Sequence, residues 1–396
     1  VTSQSISTRI EPDDSKFHTD QILSIVGGHF THDTYTAFVS LLLPLLMQKM
    51  SLSLTAAGSL AAFIQLPALL NPFIGYFADR LSLRYFVIFA PAVTATLISS
   101  MGFAPNYWTL ALLLFVTGIS VAAFHAPAPA MVARISGKQV GRGMSYFMAG
   151  GELGRTVGPL VAVWAVSTWT LDGFYRVVIF GWAATVILFW RLHGISAKSA
   201  EKPRGFREAL PAIRRLFIPM IGIRLPREFM MTALSVYLPT FMTQQGASLW
   251  IAGAALSVWE VAGVVGALTG GHLSDRIGRK QILLAGIAGT SLMMLVFLRV
   301  EGWLLTPILL LLGFTGLSTS PVLLAVVQDN MPENRALGNG IFIAISFLVR
   351  PIAIFSNGLI GDHFGLHTTY FISALIALLA IPAILWLPTG KVSDKT

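Results

Sequence analysis

Apolar residues in this chain fall in long blocks separated by short polar breaks, and each block is about the 20 residues that a helix needs to cross a bilayer. Twelve blocks are legible, at 22–47, 54–77, 84–103, 107–133, 141–167, 173–191, 213–243, 248–272, 281–298, 303–328, 336–360 and 367–388. The breaks are short except at 192–212, a polar and basic stretch carrying Lys198, Lys202, Pro203, Arg204 and Arg207. The pattern predicts an all-α membrane protein of twelve transmembrane helices in two six-helix halves related by pseudo-twofold symmetry. Its organisation is a tail at 1–20, a first half at 21–191, a linker at 192–212, a second half at 213–388 and a tail at 389–396.

The halves repeat each other at an offset of 195 residues. Gly27 meets Gly222, Asp33 meets Glu228, Ser40 meets Ser235, Pro44 meets Pro239, Gln65 meets Glu260 and Arg155 meets Arg350. Within the first span His29, His32 and Asp33 are spaced to share one helical face, and their counterparts are Arg224, Arg227 and Glu228. Six spans followed by six in the same orientation is a parallel repeat, which places a site near mid-membrane between the halves.

Composition agrees: 55% of residues are hydrophobic and only 11% charged, with a mean hydropathy of +0.72, outside the range of a soluble protein of this length. The formal charge of +9 would suggest nucleic acid were it clustered. With the N-terminus in the cytoplasm, 20 of the 27 Lys and Arg residues lie in tails and loops on that side, three (Lys49, Arg176, Arg299) on the other, and four within spans. The basic charge is a topology signal that assigns both termini and the linker to the cytoplasm, and no nucleic-acid partner is expected. Residues 1–20 are polar, so no cleaved signal peptide is expected. The absence of cysteine excludes disulfides, thiolate chemistry and cysteine metal sites.

Charge inside the spans is the chemical signal. Arg155, Arg224, Arg227 and Arg350 stand there with Asp33, Glu152, Glu228 and Glu260, and a charge at mid-membrane costs ~2.5–3.5 kcal/mol unless it meets a partner or a wet cavity. Glu152 with Arg155 and Arg224 with Glu228 have the spacing of intrahelical ion pairs, the simplest reading of each. Arg155, Arg224 and Arg350 are candidates for holding a substrate anion, since guanidinium matches carboxylate or phosphonate bidentately; His29, His125 and Glu260 join them as candidate substrate contacts. Asp33, Glu152 and Glu228 are candidate proton carriers, because burial and a departing arginine change a carboxylate's proton affinity. Phe30, Tyr35, Trp164, Tyr237 and Trp259 are read as packing residues. No nucleotide-binding loop, nucleophile elbow or metal-ligand spacing occurs, so neither a cofactor nor a metal is expected and the energy source is an ion or substrate gradient.

A loop motif follows span 2 as Gly75-Tyr-Phe-Ala-Asp79-Arg80 and span 8 as Gly271-His-Leu-Ser-Asp275-Arg276-Ile-Gly278-Arg279-Lys280. This pair resembles the signature of the major facilitator superfamily, although the first copy has Ser82 and Leu83 where the later glycine would fall. The resemblance implies a cytoplasmic gating role for Gly75, Asp79, Arg80, Gly271, Asp275, Arg276 and Arg279. Gly154-x-x-x-Gly158-Pro159 in span 5 is similar to that family's antiporter motif and implies close helix packing. His29 with Asp33, then Phe124-His125, Met131-Val132-Ala133-Arg134 and Ser136-Gly137, resemble the fosmidomycin-resistance branch. What the resemblance implies is a monomeric secondary transporter of a bacterial-type inner membrane, exporting a small anionic or zwitterionic compound, drug or metabolite, in exchange for protons. The rivals are a proton symporter for uptake of an organic anion, a membrane-embedded lipid-headgroup enzyme and a non-transporting receptor.

Overall fold

In a computed structural model describing residues 16–70, 74, 83–137, 139–194, 210–331 and 335–387, no strand occurs among the described residues. The helices are α1 (Thr19–Met50), α2 (Leu54–Phe63), α3 (Arg84–Ser99), α4 (Tyr107–His125), α5 (Ala128–Ile135), α6 (Val140–Trp169) and α7 (Val178–Leu192), then α8 (Leu210–Gln244), α9 (Leu249–Ile277), α10 (Arg279–Phe297), α11 (Leu305–Asn330), α12 (Arg335–Leu378) and α13 (Ala380–Trp386). Among the described residues seven helical stretches are long and apolar enough to cross a membrane. Helices α1, α6 and α8 are also long, at 32, 30 and 35 residues, but carry most of the intramembrane charge. Most of the linker, and the first loop motif with Gly75, Asp79 and Arg80, lie outside the described residues.

Four predicted spans differ in detail, at three places and each for a local reason. The second is α2 followed by a 3-10 turn at Leu66–Leu70, where Pro67 has no N–H to continue an α-helix. The fourth divides into α4 and α5 at Ala126-Pro127, which leaves His125 in the last turn of α4. The eleventh and twelfth are joined without a loop, the chain turning at Gly365 with φ +80°, a value that glycine adopts without steric cost.

Lipid offers little hydrophobic drive for helix association, so small residues that allow close approach matter more. Along α6, Gly150, Gly151, Gly154 and Gly158 form the groove that receives α1. A Cβ at Gly158 would lie 2.6 Å from Ala37 Cβ, and one at Gly154 would strike the Phe30 carbonyl. The outer surface is apolar, with Trp108, Leu268, Trp303 and Trp386 strongly exposed, as a lipid-facing surface requires.

The halves meet closely at one end. Both Asp362 carboxylate oxygens accept from the first amides of α2, Leu54 N at 2.6 Å and Thr55 N at 2.9 Å. Beside them a Cβ at Gly358 would lie 2.7 Å from Thr55 Cα, and one at Gly58 would strike Tyr237 Oη. Near the same end Gly253 of α9 abuts Pro159 and Val163 of α6. These contacts close one end of the groove between the halves and position the charged spans around a cavity.

Candidate functional site

In the first half the i, i+4 spacing on α1 brings His29 Nε2 to 3.4 Å from Asp33 Oδ2. Because α4 ends at the proline break, His125 reaches the same group, its Nε2 lying 3.5 Å from Asp33 Oδ1 and 3.2 Å from His29 Nε2. The far side of each ring is anchored to a backbone carbonyl, His29 Nδ1 to Phe147 at 2.8 Å and His125 Nδ1 to Val121 at 3.0 Å. Arg155 Nη1 stands 3.5 Å from Asp33 Oδ2 and its Nη2 pairs with Glu152 one turn earlier on α6. Gly151 makes room for this group, since a Cβ there would lie 2.6 Å from His29 Nε2 and 3.0 Å from Asp33 Oδ2. His32 is fully buried and stacks on Phe124 with ring centroids 4.6 Å apart.

The second half inverts the balance of charge. Glu228 receives Arg224 at 3.3 Å, Arg227 at 3.2 Å and Arg350 at 3.4 Å. Arg227 is committed to structure: it donates to Thr319 Oγ1 at 2.7 Å, Ser320 Oγ at 2.8 Å and the Gly316 carbonyl at 2.9 Å, tying α8 to α11. Arg350 Nη2 donates to Ser235 Oγ at 2.8 Å, and Arg224 lies over the Phe342 ring, 5.0 Å from its centroid.

Between the groups is a cavity of about 440 Å³ lined by both halves, including Asp33, His125, Arg155, Arg224, Arg350 and Glu260. Its two sides carry opposite charge. Asp33 and Glu152 face the single cation Arg155, while Glu228 faces three arginines. Glu260, from α9, lines the same cavity. It is the one intramembrane acid without an ion pair within 4.0 Å among the described residues. The arrangement can hold an anion against Arg350 and Arg224, a cation against the acids opposite, or a molecule carrying both.

Other predicted residues fall away from this centre. His29 and Glu152 do not line the cavity but support Asp33 and Arg155. In the second loop motif Arg279 bonds Asp275 at 2.5 Å, Ser274 Oγ at 2.5 Å and Asp329 at 3.0 Å, locking the α9–α10 turn to the end of α11. Gly271 packs near Pro321, and Arg276 is exposed. The sequence assigned no role to Ser235, Thr319, Ser320 or Asn357; the available signal was a hydroxyl or amide inside an apolar span. Asn357 Nδ2 donates to the Phe229 carbonyl at 2.7 Å, joining α12 to α8. No metal-ligand spacing is legible in the sequence, yet the fold brings ligand atoms of His29, Asp33 and His125 within 4.8 Å of one another. The two histidines are 96 residues apart, and no spacing rule links them.

A family model for the Major Facilitator Superfamily matches residues 25–268 and 222–396. The chain is 25% identical to the fosmidomycin resistance protein of Escherichia coli (strain K12) over 377 residues, covering 93% of this chain and 92% of that one. It is also 25% identical to the multidrug resistance protein MdtG of Enterobacter lignolyticus over 329 residues, covering 78% and 77%. Among solved structures it resembles a D-xylose-proton symporter, with a TM-score of 0.73 at 17% identity, covering 95% of this chain and 99% of that one. The nucleoside transporter NupG gives the same TM-score, 0.73, at 14% identity, covering 93% and 98%.

Proposed function

Since this chain belongs to the Major Facilitator Superfamily and is a multi-pass membrane transporter, we propose that it exports a small anionic or zwitterionic compound in exchange for protons. The observation that carries this reading is the polarity of the central cavity, which sets Arg350 and Arg224 opposite Asp33, Arg155 and Glu260. A guanidinium pair suits a carboxylate or phosphonate. The acidic side suits a substrate ammonium group or a proton. Relatives named for fosmidomycin and multidrug resistance support the outward direction and the drug or metabolite class.

The proton role falls to Glu260. Asp33, Glu152 and Glu228 are each held by arginine or histidine, whereas Glu260 has no such partner and borders the cavity. A carboxylate without a salt bridge takes up a proton more readily than one beside guanidinium. The substrate anion takes Arg350 and Arg224. Arg155, between Asp33 and Glu260, relays the state of one side to the other.

With the basic tails and linker in the cytoplasm of a bacterial-type inner membrane, the end closed by Asp362 and Leu54 faces outward. The described conformation is then closed to the outside, and the cycle rocks the two halves to open that end. The transporter works as a monomer, since the cavity is built within one chain. The deciding experiment is flux of candidate carboxylates and phosphonates in proteoliposomes under imposed pH gradients. Movement against the proton flux supports export by antiport; movement with it replaces this reading by uptake symport.

A further inference from the structure

Both histidines beside Asp33 have the same tautomer imposed on them. Phe147 and Val121 present carbonyl oxygens, which only accept, to Nδ1 of His29 and His125. Each Nδ1 must therefore carry the hydrogen, and each neutral ring turns a bare Nε2 lone pair inward. Those lone pairs face each other at 3.2 Å, with Asp33 oxygens at 3.4 and 3.5 Å. Three electron-pair donors packed this closely repel unless a positive species lies among them.

The spacing identifies what that species is. Zinc bonds to nitrogen and oxygen of ~2.0–2.1 Å place neighbouring ligands of a tetrahedron about 3.4 Å apart, near the 3.2 Å between the two imidazole nitrogens, while Asp33 turns Oδ2 to one ring and Oδ1 to the other. A backbone carbonyl behind each imidazole is the outer-shell support that metal-bound histidine ordinarily has. Asp33 and His125 border the cavity, which leaves a fourth coordination position open toward it.

We propose that His29, Asp33 and His125 bind one divalent transition-metal ion, zinc by its geometry, with an open position facing the cavity. The ion competes with Arg155 for Asp33 and puts a Lewis-acidic centre opposite Arg350. The site does not depend on the direction of transport or on proton coupling, so it is tested without flux.

Full-length protein in detergent, stripped with chelator, is titrated with Zn2+ by calorimetry, and the zinc-loaded protein is examined by X-ray absorption. One ion per chain and two imidazole scatterers are expected. His125→Ala and His29→Ala should each weaken binding by about 100-fold or more, the loss of a direct ligand exceeding the 10–100-fold of an outer-shell change. His363→Ala, at an exposed histidine, should leave it unchanged. Absence of binding, affinity retained in both variants, or scattering from oxygen alone would overturn the site in favour of a shared proton. Where the buried His29 variant does not fold, His125→Ala and the wild-type scattering still decide.

Discussion

Arg350 reaches Glu228 across 3.4 Å between α12 and α8, and Arg155 stands 3.5 Å from Asp33 between α6 and α1. The partners are 122 residues apart in both cases, so duplication has preserved a contact between spans as well as a residue pattern. The surroundings then diverged. Arg155 has a second acid beside it in Glu152, whereas Arg350 has two further arginines around its acid. One arginine is neutralised, and the other retains capacity for an incoming anion.

Arg350→Ala should therefore weaken binding of an anionic substrate by ~2–5 kcal/mol, about 30-fold or more, the usual loss for one partner of a desolvated charge pair. Arg350→Lys should recover part of it, since ammonium supplies charge without the planar fork. Calorimetric titration with carboxylates and phosphonates measures both, and unchanged affinity in the alanine variant would remove Arg350 from the site.

Glu260→Gln should separate substrate movement from the proton gradient. Substrate exchange in counterflow, which needs no net proton transfer, is expected to continue, while uphill export driven by a pH gradient is lost. Paired flux measurements on one preparation distinguish the two. Gradient-driven export persisting in the variant would return the proton role to Asp33 or Glu228.

At the closed end, Asp362→Asn keeps the shape of the α2 cap but removes its charge. Capping bonds of this kind are worth ~1–2 kcal/mol, enough to change a two-state population by about 5–30-fold. The chain has no cysteine, so spin labels on Ser53→Cys and His363→Cys report this end alone. Double electron–electron resonance should show a larger open population in the Asp362→Asn background.

Gly151→Ala tests the packing beneath the first-half cluster. The added methyl would meet His29 Nε2 at 2.6 Å and Asp33 Oδ2 at 3.0 Å, and overpacking of this order costs ~1–3 kcal/mol. A Cβ at Gly27 meets nothing within 4 Å, so Gly27→Ala should match or slightly exceed wild-type thermal stability. Equal unfolding temperatures for the two variants would show that α1 and α6 have room to move apart.

Much of this arrangement was legible in the chain because membrane spans announce themselves by block length and because the halves repeat. His29, Asp33, Arg224 and Glu228 emerge from the 195-residue offset, and the Glu152–Arg155 and Arg224–Glu228 pairs follow from helical spacing. What sequence could not supply is which spans touch. His125 meets Asp33 only because prolines end α4 at that residue. Arg227 is drawn into α11 by hydroxyls from a distant span, so it could not be told apart from Arg224. Glu260 reads in the sequence as a substrate contact like the rest, since the lack of an ion pair is a property of where α9 lies and not of its sequence.

A molecule bearing both charges can lie across a cavity of this polarity in one sense only, anion toward Arg350 and cation toward Glu260. In the proposed cycle, rocking of the halves would pass it from one side of the membrane to the other without turning it end over end. The gap between the two charged walls then acts as a ruler. Compounds with the same groups at too short or too long a separation satisfy one wall and leave the other unpaired, so selection is by internal charge spacing as much as by chemical identity.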